Sequence, residues 1–276
     1  MPEGHTIHRL AQDYAARLTG EVAVSSPQGK FSDAAALLDG SALRTADAHG
    51  KHLFLGFGAL TDPDPEPTSW VHVHLGLFGK VALGDAPAPP PTDTVRLRLA
   101  NATSYADLRG PTTCALITDA EKAALHARLG PDPLRPDADP AAAYARVRRS
   151  RTTIAALLMD QKVIAGVGNV YRAEVLFRHR IDPYRAGRDV TPGEWDAIWA
   201  DLAALMREGV RNNRIDTVRP EHTPEAMGRP PRVDDHGGEV YVYRRAGQAC
   251  HLCGGAVRTA GLAARNLFWC PACQTH

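Results

Sequence analysis

Apolar residues at Ile7, Leu10, Tyr14 and Leu18, with polar residues between them, lie on one helix face, so an amphipathic helix is predicted over 6–18. Residues 21–60 read instead as short extended pieces. In His49-Gly50-Lys51-His52-Leu53-Phe54-Leu55-Gly56-Phe57 a glycine turn feeds an alternating run, which puts Lys51 where a turn enters a strand. Trp70 to His74 forms a strand that runs into a glycine-flanked tip presenting Leu77 and Phe78. His72 and His74 share a face of that strand, where a packed or hydrogen-bonded role is expected over metal ligation because no third ligand stands nearby. Beyond a proline-rich surface loop at 86–91, Val95, Leu97 and Leu99 alternate with Arg96 and Arg98 in another strand. The first half is thus mostly β in hairpin order after one helix, which predicts a two-sheet sandwich or flattened barrel.

Both periodicities break at 130–137, where Gly, Pro and Asp cluster, and the pattern beyond is helical. Asp139-Pro140 is an N-cap followed by proline at the first helical position, and the next turns carry Arg146, Arg148, Arg149 and Arg151. Thr152 to Met159 continues as helix. Gly166 and Gly168 then break it, and a new helix runs from near Asn169 to Arg178. Glycines before a helix start let backbone N–H groups approach a phosphate, although an ordinary packing corner looks the same in sequence. Thr191-Pro192-Gly193-Glu194 is a capping box opening a long helix with Trp195, Ile198, Leu202, Leu205 and Met206 on one face. Residues 215–240 read as irregular and Val240 to Tyr243 as a short strand. The domain scheme is a first domain over 1–130, a linker over 131–139, a helical domain over 140–240 and a terminal module over 241–276.

At 276 residues, 44% of them hydrophobic, the chain can bury a core in each of two domains. It has no run of eighteen apolar residues and no basic segment leading into an apolar one, so neither a membrane span nor a signal peptide is predicted, and a cytoplasmic protein is expected. The net charge of +1 hides a division. Residues 1–130 hold 11 Lys+Arg against 14 Asp+Glu (−3), and residues 131–276 hold 21 against 17 (+4), all but one of the 21 being arginine. An anionic partner would bind the second half.

Four of the five cysteines form Cys250-x2-Cys253-x16-Cys270-x2-Cys273, the spacing of a four-thiolate zinc site between two tight knuckles. One structural Zn2+ is expected there rather than disulfides, with all four positions filled by protein. Cys114 stands alone and reads as a small core residue. Inside the cysteine loop, Arg265 begins Arg265-Asn266-Leu267-Phe268-Trp269, an arginine that reads either as a solvated surface group or as a rigid fork of the kind that grips phosphate.

The chain opens Met1-Pro2-Glu3-Gly4. Removal of Met1, which a small second residue favours, would leave a secondary amine beside a carboxylate. An α-amino group titrates near pH 7.7–8.0, so a useful fraction is unprotonated at neutrality and able to attack an electrophilic carbon.

Together the Met-Pro-Glu-Gly start, the Gly-Lys before a strand, the Gly-x-Gly-Asn between helices and the four-cysteine finger carrying Arg265 resemble the formamidopyrimidine-DNA glycosylase and endonuclease VIII family. The resemblance spans essentially the whole chain. It implies an α+β protein: an N-terminal β-sandwich domain flanked by helices, then a helix-two-turn-helix bundle with a zinc finger. It also implies a bifunctional DNA glycosylase/AP lyase of base excision repair, acting on damaged double-stranded DNA as a monomer in the bacterial cytoplasm. By this resemblance Pro2 attacks C1′ and forms a Schiff base that undergoes β- and δ-elimination. Glu3 is the acid, Lys51 contacts phosphate and donates a proton in β-elimination, and Arg265 serves δ-elimination and phosphate grip. Asn169, Arg128 and Gln274 match DNA-contacting positions, and Leu77 and Phe78 fit the wedge that opens the base stack.

Residues 215–240 lack the glycine- and serine/threonine-rich loop usual in the oxidised-purine type, which favours oxidised pyrimidines as substrate. The tip is mixed, since His74-Leu75-Gly76-Leu77 resembles the purine type. A non-catalytic zinc-ribbon DNA-binding protein is the further alternative, but it would not require Pro2, Glu3 and Lys51 together.

Overall fold

The computed structural model describes residues 2–61, 66–233 and 238–275. Met1, whose removal the sequence favours, lies outside them, as does part of the segment read as irregular. The chain divides into two compact units, one comprising residues 1–2 and 6–128, the other residues 3–5 and 129–276.

From Thr6 onward α1 (Gly4–Leu18) belongs to the first unit, and its Ile7, Leu10, Tyr14 and Leu18 are all buried, as their spacing predicts. There follow β1 (Gly20–Glu21), β2 (Ala23–Ser25), α2 (Ser32–Leu38), β3 (Ala42–His49), β4 (His52–Gly58), β5 (Ser69–His74), β6 (Lys80–Asp85), β7 (Val95–Ala100), β8 (Ser104–Arg109), β9 (Thr113–Ile117) and α3 (Asp119–Arg128). The strands form two antiparallel sheets, ordered β1-β3-β4-β5-β9 and β2-β7-β8-β6. Leu53, Leu55, Phe57, Val71 and Val73 of the first sheet and Val24, Leu97, Leu99, Ala106 and Leu108 of the second belong to one buried cluster with the apolar face of α1. That is the sandwich the alternating runs predict.

Two helices of this unit differ from expectation. α2 lies in the stretch read as extended; it is alanine-rich and buries only Ala35 and Leu38, so its periodic signal is weak. α3 buries none of its residues. It lies over the outer face of the first sheet, with the Lys122 ammonium 3.4 Å from the Trp70 ring centre and a Trp70 Nε1–H bond to Asp119. Its start is a capping box in which Thr118 N–H donates to Glu121 at 2.8 Å and Glu121 N–H donates back to Thr118 Oγ1 at 3.3 Å.

The second unit holds α4 (Pro140–Val147), α5 (Ile154–Leu157), α6 (Asn169–Arg178), α7 (Pro192–Asn212), α8 (Pro224–Met227) and the hairpin β10 (Arg258–Leu262) with β11 (Arg265–Trp269). The Asp139 side chain caps α4 through Ala141 N–H, and α7 opens on the predicted capping box. α6 is its centre: from Asn169 to Phe177 every residue is buried.

The helix predicted over 152–159 is shorter, a single turn at α5, because Thr153 pairs in an isolated bridge with Ala186 instead. Val240 to Tyr243 is not a strand. The N–H groups of Tyr241, Val242 and Tyr243 all converge on the buried Glu174 carboxylate of α6, at 2.7–2.9 Å, whereas a strand points successive N–H groups to opposite sides. Among the described residues, no helix is long and apolar enough to cross a membrane.

Candidate active site and nucleic-acid interface

Gly168, the residue before α6, has no side chain with which to cap the helix. Glu3 caps it from the other end of the sequence. Its Oε2 accepts Gly168 N–H at 2.9 Å and its Oε1 accepts Val170 N–H at 2.8 Å, with Tyr171 N–H at 3.5 Å. These are the orphan donors of a helix start, and the helix dipole adds to their attraction for a carboxylate. A Cβ at Gly168 would come within 2.3 Å of Glu3 Cδ, so the second glycine of the Gly-x-Gly-Asn run is needed for the carboxylate to enter. Gly4 N–H donates to the Gly166 carbonyl at 2.8 Å and completes the anchor.

Asn169, the first residue of α6, donates from Nδ2 to the Asn266 carbonyl at 2.9 Å. The helix start is thereby tied to the hairpin that begins with Arg265, whose Nη1 donates to the Ala264 carbonyl at 3.0 Å. Arg172, one turn on, is fully buried and bonds Asn169 Oδ1. Burial brings its pKa down to about 10, with Glu3 pulling it up and Arg265 pushing it further down. Glu3, Asn169, Arg172 and Arg265 thus share one electrostatic neighbourhood. Sequence reasoning missed Arg172 and Glu174, whose only signal is a charged residue inside an otherwise apolar helix.

The four finger thiols converge within 4.8 Å of one another, Cys250 and Cys273 at 3.8 Å and Cys253 and Cys270 at 3.5 Å. Four sulfurs about 2.3 Å from a tetrahedral Zn2+ stand roughly 3.8 Å apart, so the set fits that ion and not a pair of disulfides. Gln274 follows the last cysteine. Its side chain is buried, its Oε1 accepting Cys270 N–H at 2.9 Å and its Nε2 donating to the Ile181 carbonyl at 3.0 Å. Through these two bonds the amide ties the finger to the Ile181 backbone.

In the first unit, Gly50 takes a positive φ of 60° at the β3–β4 turn, and Lys51 follows it, half-buried. Leu77 and Phe78 stand on the tip after β5 with 46% and 86% of their surface exposed. Arg128 ends α3 and is exposed, and its charge helps lower His72. His72 and His74 are hydrogen-bonded, His72 Nε2 to His52 Nδ1 at 2.8 Å and His74 Nδ1 to Gly76 N–H at 3.2 Å. Among the described residues the cysteines are the one group arranged to hold a metal ion.

Residues 1–114 match the formamidopyrimidine-DNA glycosylase N-terminal domain, 129–219 the formamidopyrimidine-DNA glycosylase H2TH domain and 247–275 the zinc finger found in FPG and IleRS. The chain is 53% identical over 280 residues to "Endonuclease 8 1" of Mycobacterium tuberculosis, covering 100% of both chains. It is 32% identical to the formamidopyrimidine-DNA glycosylase of Geobacter metallireducens, over 98% of this chain and 97% of that one. The fold matches the crystal structure of wild-type Lactococcus lactis Fpg in complex with DNA containing an oxidised pyrimidine, at a TM-score of 0.76 and 20% identity over 100% of each chain. The chain belongs to the formamidopyrimidine-DNA glycosylase and endonuclease VIII family, whose members are DNA N-glycosylases with AP lyase activity.

Proposed function

We propose that this protein is an endonuclease VIII-type glycosylase/AP lyase that removes oxidised pyrimidines from duplex DNA through the amine of Pro2. The observation that carries the reading is the anchoring of Glu3: both carboxylate oxygens are held by backbone N–H groups at the start of α6, which fixes the residue next to the proposed nucleophile. A nucleophile held in place gains much of its advantage from orientation alone.

In this mechanism the unprotonated Pro2 nitrogen attacks C1′, the N-glycosidic bond breaks and the base leaves with a proton. The Glu3 carboxylate takes up the N–H proton that Pro2 loses on becoming an iminium and passes it, as the acid, to the opening sugar or the leaving base, and the ring-opened sugar remains as an iminium on Pro2. Loss of a C2′ proton expels the 3′ phosphate with Lys51 donating a proton, and δ-elimination then expels the 5′ phosphate beside Arg265. Water releases Pro2. Asn169 and Arg128 grip the backbone, and Leu77 with Phe78 is the wedge that opens the base stack. The Cys250, Cys253, Cys270 and Cys273 thiolates would hold one Zn2+, which supplies scaffolding for the Arg265 hairpin and no chemistry of its own. Residues 1–130 would be the catalytic domain, joined by the 131–139 linker to the DNA-binding helices of 140–240 and the finger of 241–276. The enzyme would work as a monomer in the bacterial cytoplasm.

The pyrimidine preference is supported by the full-length similarity to a relative named as endonuclease 8 and by the segment after α7. There a 3-10 turn at Pro220–His222, α8 and the Arg229–Glu239 ion pair at 2.7 Å stand among the described residues, in the stretch where the resemblance places a glycine- and serine/threonine-rich loop in the purine type. The test is excision of thymine glycol, 5-hydroxycytosine and 8-oxoguanine by one preparation. Faster release of the two pyrimidines supports the reading, and faster release of 8-oxoguanine overturns it.

A further inference from the structure

The tip bearing Leu77 and Phe78 is held by a group that the proposed chemistry does not use. Gly76 N–H donates to His74 Nδ1 at 3.2 Å, Thr112 N–H donates to the His74 carbonyl at 2.9 Å, and Gly79 N–H closes the turn on the Leu75 carbonyl at 3.0 Å. Gly76 sits at φ +67°, and a Cβ there would lie 1.9 Å from Thr112 Oγ1. The turn therefore requires glycine at Gly76, and the imidazole of His74 bonds its backbone.

An imidazole accepts at Nδ1 only in its neutral, Nε2-protonated form. The surroundings favour neutrality: burial first, then the Lys51 charge, lowers the pKa of His74. His74 lies directly opposite His52 in the β4–β5 register, their ring centres 5.0 Å apart. His52 in turn bonds His72 at 2.8 Å. Lys51 immediately precedes His52, so the strand end that roots the tip also carries the proposed phosphate-binding lysine.

We propose that His74 is a positioning residue: its neutral imidazole, through Gly76 N–H, sets the Leu77–Phe78 tip in the form that enters the base stack, and fixes that tip to the strand end bearing Lys51. The inference rests on the wedge reading of Leu77 and Phe78. An apolar wedge already ordered in free protein loses less conformational freedom when it meets DNA. His74 touches no reacting atom in this account, so its loss should slow reactions that need the stack opened and spare those that do not.

The test uses full-length protein on an abasic strand with 2-aminopurine beside the lesion, as duplex and as single strand. His74→Phe should lower duplex incision and the 2-aminopurine rise about fivefold to tenfold, the worth of one hydrogen bond, and change single-strand incision less than about twofold. His74→Asn, whose Oδ1 sits near the position of Nδ1, should restore most of the loss. His74→Gln, with its oxygen one bond further out, should not, and it replaces the Phe variant if that fails to fold. Leu77→Ala tests the wedge itself. Should Leu77→Ala slow the duplex reaction while His74→Phe does not, or should His74→Phe slow both substrates equally, or Asn do no better than Phe, the His74 assignment falls alone. A Leu77→Ala variant with unchanged duplex incision and fluorescence overturns the wedge reading beneath it.

Discussion

Glu3 Oε1 accepts the N–H of Val170 at 2.8 Å across 167 positions of sequence. The first turn of α6 is thus completed by the third residue of the chain, and the same helix bonds the finger hairpin through Asn169 and the segment before the finger through Glu174. Replacing Glu3 by Gln turns an amide NH2 toward donors that need an acceptor. We expect a loss of roughly 1.5–3 kcal/mol, the range for hydrogen bonds to a charged group, read as a fall in the thermal midpoint. Base release should fall with it, measured on a duplex carrying thymine glycol. An unchanged midpoint would mean the helix start does not depend on the carboxylate.

Glu174 carries a second prediction. Besides the three N–H groups of Tyr241, Val242 and Tyr243, its carboxylate accepts from Thr217 Oγ1 at 2.6 Å. Glu174→Ala leaves these buried donors without their acceptor and should cost at least about 3 kcal/mol. The loosened segment leads into Cys250, so zinc loss to a chelator should quicken in step. Denaturant unfolding and a colorimetric zinc assay on the same variant read both effects.

The finger should be separable from the first unit, since each unit has its own buried cluster. Chelation of zinc is expected to abolish DNA binding and leave amide exchange in β3 to β5 unaltered. Arg265→Ala should weaken binding about tenfold and lower the slope of log affinity against log salt by roughly one, the mark of one lost phosphate contact. Unchanged incision in Arg265→Ala would remove that residue from the mechanism.

Acid should destabilise the first unit. Burial first, then the neighbouring imidazoles His72 and His74, lowers His52 to about 3, and burial with His74 and Arg128 lowers His72 to about 4. In the unfolded chain both titrate near 6.5. Between these values the unfolded chain binds protons that the folded one does not, so stability is full above about pH 6.5 and declines as pH falls toward 4. The denaturant midpoint should drop between about pH 7 and pH 5, and His72→Phe, beside Phe54, should flatten that dependence. A pH-independent wild type would contradict it.

Where local chemistry decides an element, the sequence showed it. The spacing of Ile7, Leu10, Tyr14 and Leu18, the capping box at Thr191 and the paired knuckles at Cys250 and Cys270 each carry their own signal. α3 carried one as well in Thr118 and Glu121, but its face is polar because it covers a patch of histidines, Phe54 and Trp70 with Lys122 and His126. Tertiary capture decides the remainder. Val240 to Tyr243 alternates like a strand and is bent instead around a carboxylate some seventy positions away, and Gln274 is drawn inward by the Cys270 and Ile181 backbones. The identities at Pro2, Glu3 and Lys51 were legible, while the cradle that holds Glu3 exists only once α6 has folded against it.

The central claim is a covalent bond between Pro2 and C1′ of the damaged nucleotide, and borohydride reduction during turnover tests it most directly. Processed protein, its N-terminus verified by mass spectrometry, should give a trapped protein–DNA adduct on thymine-glycol and abasic duplexes, with the peptide beginning at Pro2 carrying the sugar. Acetylated Pro2, or a chain retaining Met1, has only an amide nitrogen there and should give none. An adduct mapped to another residue, or no adduct from processed protein that still binds DNA, would contradict the account.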